Sequence, residues 1–153
     1  MRCDAKGSFL NSSVVKQWAD DQFVAGCNEF VMDLELCVGM DSTFMGNLVD
    51  IAMKATRAGG VLQIAEASEK CVNLLEGLGV ASLMEINPTS SVWEDCKTSI
   101  RENLVVVESS GPIDKVQHVF ETHKKLCEAD RSNEDKFNTV LDCLQEKMAD
   151  RKR

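Results

Sequence analysis

Three times in its first 86 residues the chain passes from a short apolar run to a segment whose apolar residues recur every three or four positions. No other feature limits the fold as much. A strand followed by a helix meets the next strand by a crossover, so the strands of such a chain run parallel. Residues 2–9, ending Gly7-Ser8-Phe9, alternate weakly as a strand, and Ser12 or Ser13 then caps a helix with Val15, Trp18, Ala19 and Phe23 on one face. Gly26 ends it. In the next strand Phe30, Met32, Leu34 and Leu36 point one way, and the apolar run Val31 to Val38 stops at Gly39. A helix over about residues 43–58 buries Phe44, Leu48, Ile51 and Ala55, carries Gly46, Asp50, Lys54 and Arg57 on another face, and stops at Gly59-Gly60. Val61 to Ala65 is a buried strand, Ser68 caps a helix with Val72, Leu75 and Leu78 or Gly79 on one side, and Ser82 to Ile86 is a last short apolar element. The pattern predicts an α/β domain over residues 1–86, a mostly parallel four- to five-stranded sheet with crossover helices.

Residues 87–111 read as a connector, although Ser91 to Asn103 has helical spacing and Leu104 to Val107 is β-branched, with a turn cluster at Ser109-Ser110-Gly111-Pro112. Residues 112–153 form a C-terminal two-helix extension. Pro112 suits a first helical position, with Ile113, Val116, Phe120 and Cys127 at helical spacing behind it. Ser132 and Asp135 resemble a capping box ahead of the stripe Phe137, Val140, Leu141, Leu144 and Met148. Both stripes are expected to dock on the domain or on each other.

A chain of 153 residues suits one domain with a helical appendage. No uncharged apolar stretch nears the ~20 residues of a membrane span, and the N-terminus lacks a signal-peptide core, which predicts a cytoplasmic protein. Net charge is −8. Residues 1–86 carry 6 basic and 12 acidic groups (−6), residues 87–153 carry 11 and 13 (−2), and no basic stripe is present. Phosphate backbones and anionic membranes are bound by clustered Lys and Arg, so neither is an expected partner. Arg151-Lys152-Arg153 suits a helix C-terminus instead. The seven cysteines lie 10 to 34 residues apart without a CxxC, a pattern of reduced thiols rather than of zinc ligands or a disulfide framework. His118 and His123, five apart, miss the i, i+4 spacing of helical metal pairs and read as helix-face residues. No metal and no cofactor are expected.

At the strand-to-helix junction stands Met40-Asp41-Ser42-Thr43-Phe44-Met45-Gly46, with more polar residues than one cap requires. Gly39 and Gly46 are wrongly spaced for a P-loop, and Ser42 is flanked by Met40 and Phe44 instead of the glycines of a nucleophile elbow. With two histidines in the chain, neither near Ser42 in sequence, no Ser-His-Asp triad is indicated, and the chain does not read as an enzyme. Two readings stay open. Ser42 caps the helix beside a solvated Asp41, or Ser42 accepts a phosphate that the helix N-terminus tolerates.

The stretch from Val31 to Leu48, followed by Ala58 to Ile86, resembles a STAS domain, the anti-sigma factor antagonist family. The likeness rests on a strand ending at Asp33, on Asp41-Ser42-Thr43 with Met45 and Gly46, and on Gly59-Gly60. The series Leu75, Gly79, Val80, Leu83, Met84 and Ile86 completes it. Residues 7–18 are similar to the family's second strand and first helix, and residues 121–145 to an extension found on some members.

The resemblance implies a phospho-regulated protein-binding switch. The unphosphorylated protein binds an anti-sigma factor that is also a serine kinase. Phosphorylation at Ser42 ends the interaction, and a serine phosphatase restores it. Asp41, Thr43, Met45 and Gly46 then form the switch surface around the acceptor. An alternative within the fold is an unphosphorylated scaffold, or a subunit regulating an ABC-type lipid-transport ATPase. Phe44 stands where the family has Gly, and the family normally has another strand before the one ending near Phe9. Either the start is trimmed, or the sheet has one strand fewer and an exposed edge, which the C-terminal helices are then expected to cover.

Overall fold

A computed structural model of the chain describes residues 1–89, 92–107 and 114–151. The expectations for Ser109 to Ile113, and for Lys152 and Arg153, lie outside these residues. The strands are β1 (Ala5–Gly7), β2 (Glu29–Asp33), β3 (Cys37–Met40), β4 (Val61–Ala65) and β5 (Glu85–Ile86). The helices are α1 (Phe9–Val24), α2 (Ser42–Arg57), α3 (Glu69–Gly77), α4 (Val92–Glu102), α5 (Lys115–Ala129) and α6 (Asn133–Asp150). Every strand pair is parallel: β1 with β3, β2 with β4, and β4 with β5. The N-terminal residues join the two groups. The Met1 amino group donates to the Val31 carbonyl at 2.7 Å and Cys3 N–H to the Asp33 carbonyl at 3.0 Å, so residues 1–7 run beside both β2 and β3.

The five-stranded parallel arrangement matches the expected fold, and three details differ. Leu36 is 49% exposed instead of continuing the inward alternation. The Asp33 carboxylate accepts Glu35 N–H at 3.1 Å and Cys37 N–H bonds back to the Leu34 carbonyl at 2.9 Å, a turn that throws Leu36 outward and restarts the strand as β3. The chain is extended through Gly39, where the apolar run was expected to stop. Helix α1 begins at Phe9, one turn before Ser12. The Asn11 side chain takes Ser8 N–H at 2.8 Å and the Asp41 carboxylate takes Phe9 N–H at 2.8 Å, so Ser12 falls in the helix interior and is fully buried.

Phe30, Met32, Leu34, Leu48, Ile64 and Leu75 are among the core side chains, and α2 lies at the centre of the molecule. One side of α2 packs on β4 and α1, the other on α5, and α6 packs on α5. At the end of the α/β unit Asn87 adopts φ +47 and its side chain bonds both the N–H (2.8 Å) and the carbonyl (2.9 Å) of Ala67, which fixes the exit of the chain. Residues 92–102 are helical, as their spacing suggested, and α4 is pinned to the end of β2. Arg101 grips the buried Asp33 carboxylate at 2.9 and 3.0 Å and reaches Glu35 at 3.1 Å, above the buried Trp93 ring.

The C-terminal helices dock, but elsewhere than on the sheet edge. Residues 4–6 stay exposed there, and α5 lies across α2. The buried face of α5 is His118, Thr122, His123, Leu126 and Cys127, not the stripe through Val116 and Phe120, which is half-buried. Its contact surface includes the polar first turn of α2 and Ser12, so a wholly apolar face would have left polar groups there unpaired. Ser132 makes no cap bond to α6 either. Asp130 turns the chain by accepting Ser132 N–H at 2.9 Å, and the buried Asn133 side chain donates to the carbonyls of Leu78 (2.8 Å) and Leu126 (3.0 Å).

Candidate functional site

The junction between β3 and α2 puts its three polar residues to three uses. Asp41 is the N-cap, with one carboxylate oxygen accepting Phe44 N–H at 2.9 Å and the other Phe9 N–H at 2.8 Å. A single side chain thereby satisfies a free donor at the start of two helices, α1 and α2. This settles the capping question in favour of Asp41, which is a structural cap and not a solvated turn residue. Thr43 is buried and its carbonyl receives the Ser12 hydroxyl at 3.4 Å.

Ser42, relieved of capping, is the first residue of α2, half-buried, with its hydroxyl 2.9 Å from Nε2 of His123. The other ring nitrogen of His123, Nδ1, lies 2.8 Å from the Val119 carbonyl. A carbonyl only accepts, so Nδ1 carries the proton, Nε2 is the acceptor, and the Ser42 hydroxyl donates to it. Phe137 of α6 packs edge-on against the imidazole, 4.8 Å between centroids. No sequence neighbour of Ser42 pointed to His123, which lies 81 residues downstream. The available signal was a histidine inside an otherwise buried helical face.

A second histidine–serine contact lies one turn away, opposite in direction because the Ser12 proton goes to the Thr43 carbonyl. Nε2 of His118 is 3.0 Å from the Ser12 hydroxyl, and burial, with Lys16 adding to it, pushes the His118 pKa below the usual 6.5. Asn47 is buried beside it and donates to the Ser12 carbonyl at 2.6 Å. Between the two histidines the α5 backbone touches α2. A Cβ added to Gly46 would overlap the Thr122 carbonyl, so Gly46 is what lets the helices approach this closely.

Of the residues expected to form an open switch surface, Asp41 is half-buried and Thr43, Met45 and Gly46 are buried, so the corner is closed over. Phe44 points inward and is fully buried, its ring filling the space that a side chain on Gly7 would take: a Cβ there would sit 2.6 to 2.9 Å from three ring atoms. The bulky residue in the first helical turn is therefore a core residue paired with a glycine in β1. Cys37 is also buried, its thiol donating to the Gly39 carbonyl at 3.3 Å, and burial pushes the neighbouring Cys3 thiol up to about 12. All seven cysteines are free. Among the described residues no group of three or more His, Cys, Asp or Glu side chains is placed to hold a metal ion, and no helix is long and apolar enough to cross a membrane.

No family model matches the sequence, and no curated protein does. Four chains of solved structures match. One is the 1.59 Å crystal structure of a Thermotoga maritima protein described as a candidate anti-sigma factor antagonist. It aligns with a TM-score of 0.52 at 20% identity, covering 62% of this chain and 80% of that one. The likeness is one of fold, and it is the STAS-type α/β fold that the motifs around Asp33, Asp41-Ser42-Thr43 and Gly79 led us to expect.

Proposed function

We propose that this chain is a phospho-regulated protein-binding switch of a bacterial cytoplasm, an anti-sigma factor antagonist with Ser42 as phosphate acceptor. It binds an anti-sigma factor that is also a serine kinase, is released when that kinase phosphorylates Ser42, and is reset by a serine phosphatase. It receives phosphate and catalyses nothing. The observation that carries the reading is the division of labour at the junction. Asp41 makes the side-chain cap bonds, so the Ser42 hydroxyl is not used as a cap and its one side-chain partner among the described residues is His123 of α5. At a helix N-terminus a phosphate is favoured by the dipole, and it adds about −1.5 to −2 charge beside Asp41. Opposed to an acidic partner surface, a desolvated dianion costs several kcal/mol, on the order of the whole free energy of a micromolar complex.

The test is a pull-down with wild-type, Ser42→Ala and Ser42→Asp baits, with mass spectrometry of Ser42 in the wild type after incubation with the captured partner and ATP. A partner held by wild type and Ser42→Ala, lost by Ser42→Asp, and able to phosphorylate Ser42 is the expected result. A partner that holds all three baits equally and leaves Ser42 unmodified would replace this reading with the scaffold or ABC-type ATPase subunit.

A further inference from the structure

From the way α5 sits on Ser42 we infer that the face of α2 at the acceptor serine is a helix-binding surface. Its resting occupant is the chain's own α5, so the C-terminal helix pair competes with any protein that must reach Ser42. The inference rests on the reading of Ser42 as acceptor and adds to it how access to that serine is controlled.

Three features of α2 are matched to a helix lying across it. At its start the Ser42 hydroxyl meets His123. One turn on, Gly46 offers no side chain and receives the Thr122 backbone. Another turn on, Asp50 faces Lys125 at 4.0 Å. The serine donor, the bare glycine and the carboxylate are met in turn by residues 122 to 125 of one helix. While that helix is in place Gly46 is covered by the Thr122 backbone, and the Ser42 proton is engaged by a histidine that is itself only 5% exposed. An incoming kinase needs both that hydroxyl proton and the surface around it, so cover and hydrogen bond act in the same direction.

The occupant is also built to leave as a unit. Helix α6 touches the α/β unit at its first turn, where Asn133 donates to the Leu78 carbonyl and Lys136 to the Gly77 carbonyl at 2.9 Å. Beyond that turn its half-buried residues, Phe137, Leu141, Leu144 and Met148, follow the stripe that packs on α5. Release therefore requires parting α5 from α2 and from Ser12 of α1, and breaking the Asn133 and Lys136 contacts, with the sheet untouched. The external partner that fits the vacated face is a helix with a small residue or bare backbone opposite Gly46 and a hydrogen-bonding side chain opposite Ser42.

The full-length chain carrying Ser42→Cys tests this without any kinase. Labelling of the introduced thiol by N-ethylmaleimide is followed by peptide mass spectrometry, with exposed Cys143 as the internal reference. His123 beside the thiol favours the reactive thiolate, so slow labelling reports cover and not low reactivity. We expect labelling at position 42 at least tenfold slower than at Cys143. Adding Asn133→Ala, or separately Leu126→Ala, should raise it at least tenfold while amide exchange in β4 is unchanged. Labelling in the parent as fast as at Cys143 overturns the inference. So does slow labelling that neither variant accelerates, or acceleration only with β4 exchange, which would make α5 part of the core. Phosphate plays no part here. A cover that opens as described on a Ser42 that is never phosphorylated would sink the switch alone, and an acceptor phosphorylated in an open parent would sink the cover alone.

Discussion

Asp41 and Phe44 show how much one turn of backbone fixes. Both Asp41 oxygens are used, one per helix, so Asp41→Ala strands the N–H groups of Phe9 and Phe44 together. We expect it to cost about 1–3 kcal/mol in urea denaturation, with Asp41→Asn, which keeps one acceptor oxygen, costing less, and Ser42→Ala about 1 kcal/mol at most. A Ser42→Ala loss as large as that of Asp41→Ala would return the capping role to Ser42. Phe44 and Gly7 form a size-matched pair. Gly7→Ala should destabilise by about 1–3 kcal/mol in the wild type, and distinctly less in a Phe44→Leu background. Additive losses in that double-mutant cycle would show that the ring is not what Gly7 makes room for.

At the scale of elements, α4 and α5 attach by different chemistry. Helix α4 hangs on an ion pair: Asp33 is buried at the end of β2, and Arg101 is the residue that binds it in bidentate fashion, with Arg2 at 3.9 Å. Arg101→Ala leaves that carboxylate short of its main partner. Because the arginine is partly exposed, we expect about 2 kcal/mol, below the ~3–5 kcal/mol of a fully buried pair. Amide exchange in residues 92–102 should rise more than in α2. Equal protection in variant and wild type would show that Trp93 and the Lys97–Glu66 ion pair hold α4 without Arg101. Helix α5 is attached by side-chain hydrogen bonds at His118 and His123 and by a glycine contact between them, an attachment that depends on donors and acceptors being in the right state.

For the whole molecule this dependence has a pH signature. Burial holds the His118 pKa below 6.5, with the Lys16 charge on α1 acting in the same direction and Glu121 on its own helix opposing. The unfolded chain therefore takes up a proton near pH 6.5 that the folded chain refuses. Between 6.5 and the lower folded value the unfolded state binds more protons, so stability falls as pH falls through this window and is fully present above it. Comparing wild type with His118→Gln from pH 8 to 5 should show a steeper acid loss in the wild type, by up to about 1.4 kcal/mol per pH unit. Parallel profiles would mean that His118 is protonated in the folded state as readily as in the unfolded one.

The sequence by itself determined the α/β unit. Alternating apolar residues, glycine stops at Gly26 and Gly59, and the Ser68 cap are local signals whose causes lie within a few residues, and the alternation of strand and helix through Ile86 follows from them, but not the break between β2 and β3 or the start of α1 at Phe9. It also singled out Ser42 at a junction with more polar residues than a cap requires. What it could not supply was the use of each polar residue there, because the deciding partners lie far along the chain: Phe9 for Asp41, Ser12 for Thr43, His123 for Ser42. Nor could it place the C-terminal helices. Apolar stripes state that a helix is buried without stating against what, and the choice of α2 over the sheet edge rests on the shape of Gly46 and on hydrogen-bond pairing across 81 residues. Hydrophobic burial is non-directional, whereas hydrogen bonds and close backbone contact are not, so the pattern of residues sets what is buried and the tertiary structure alone decides which face meets which.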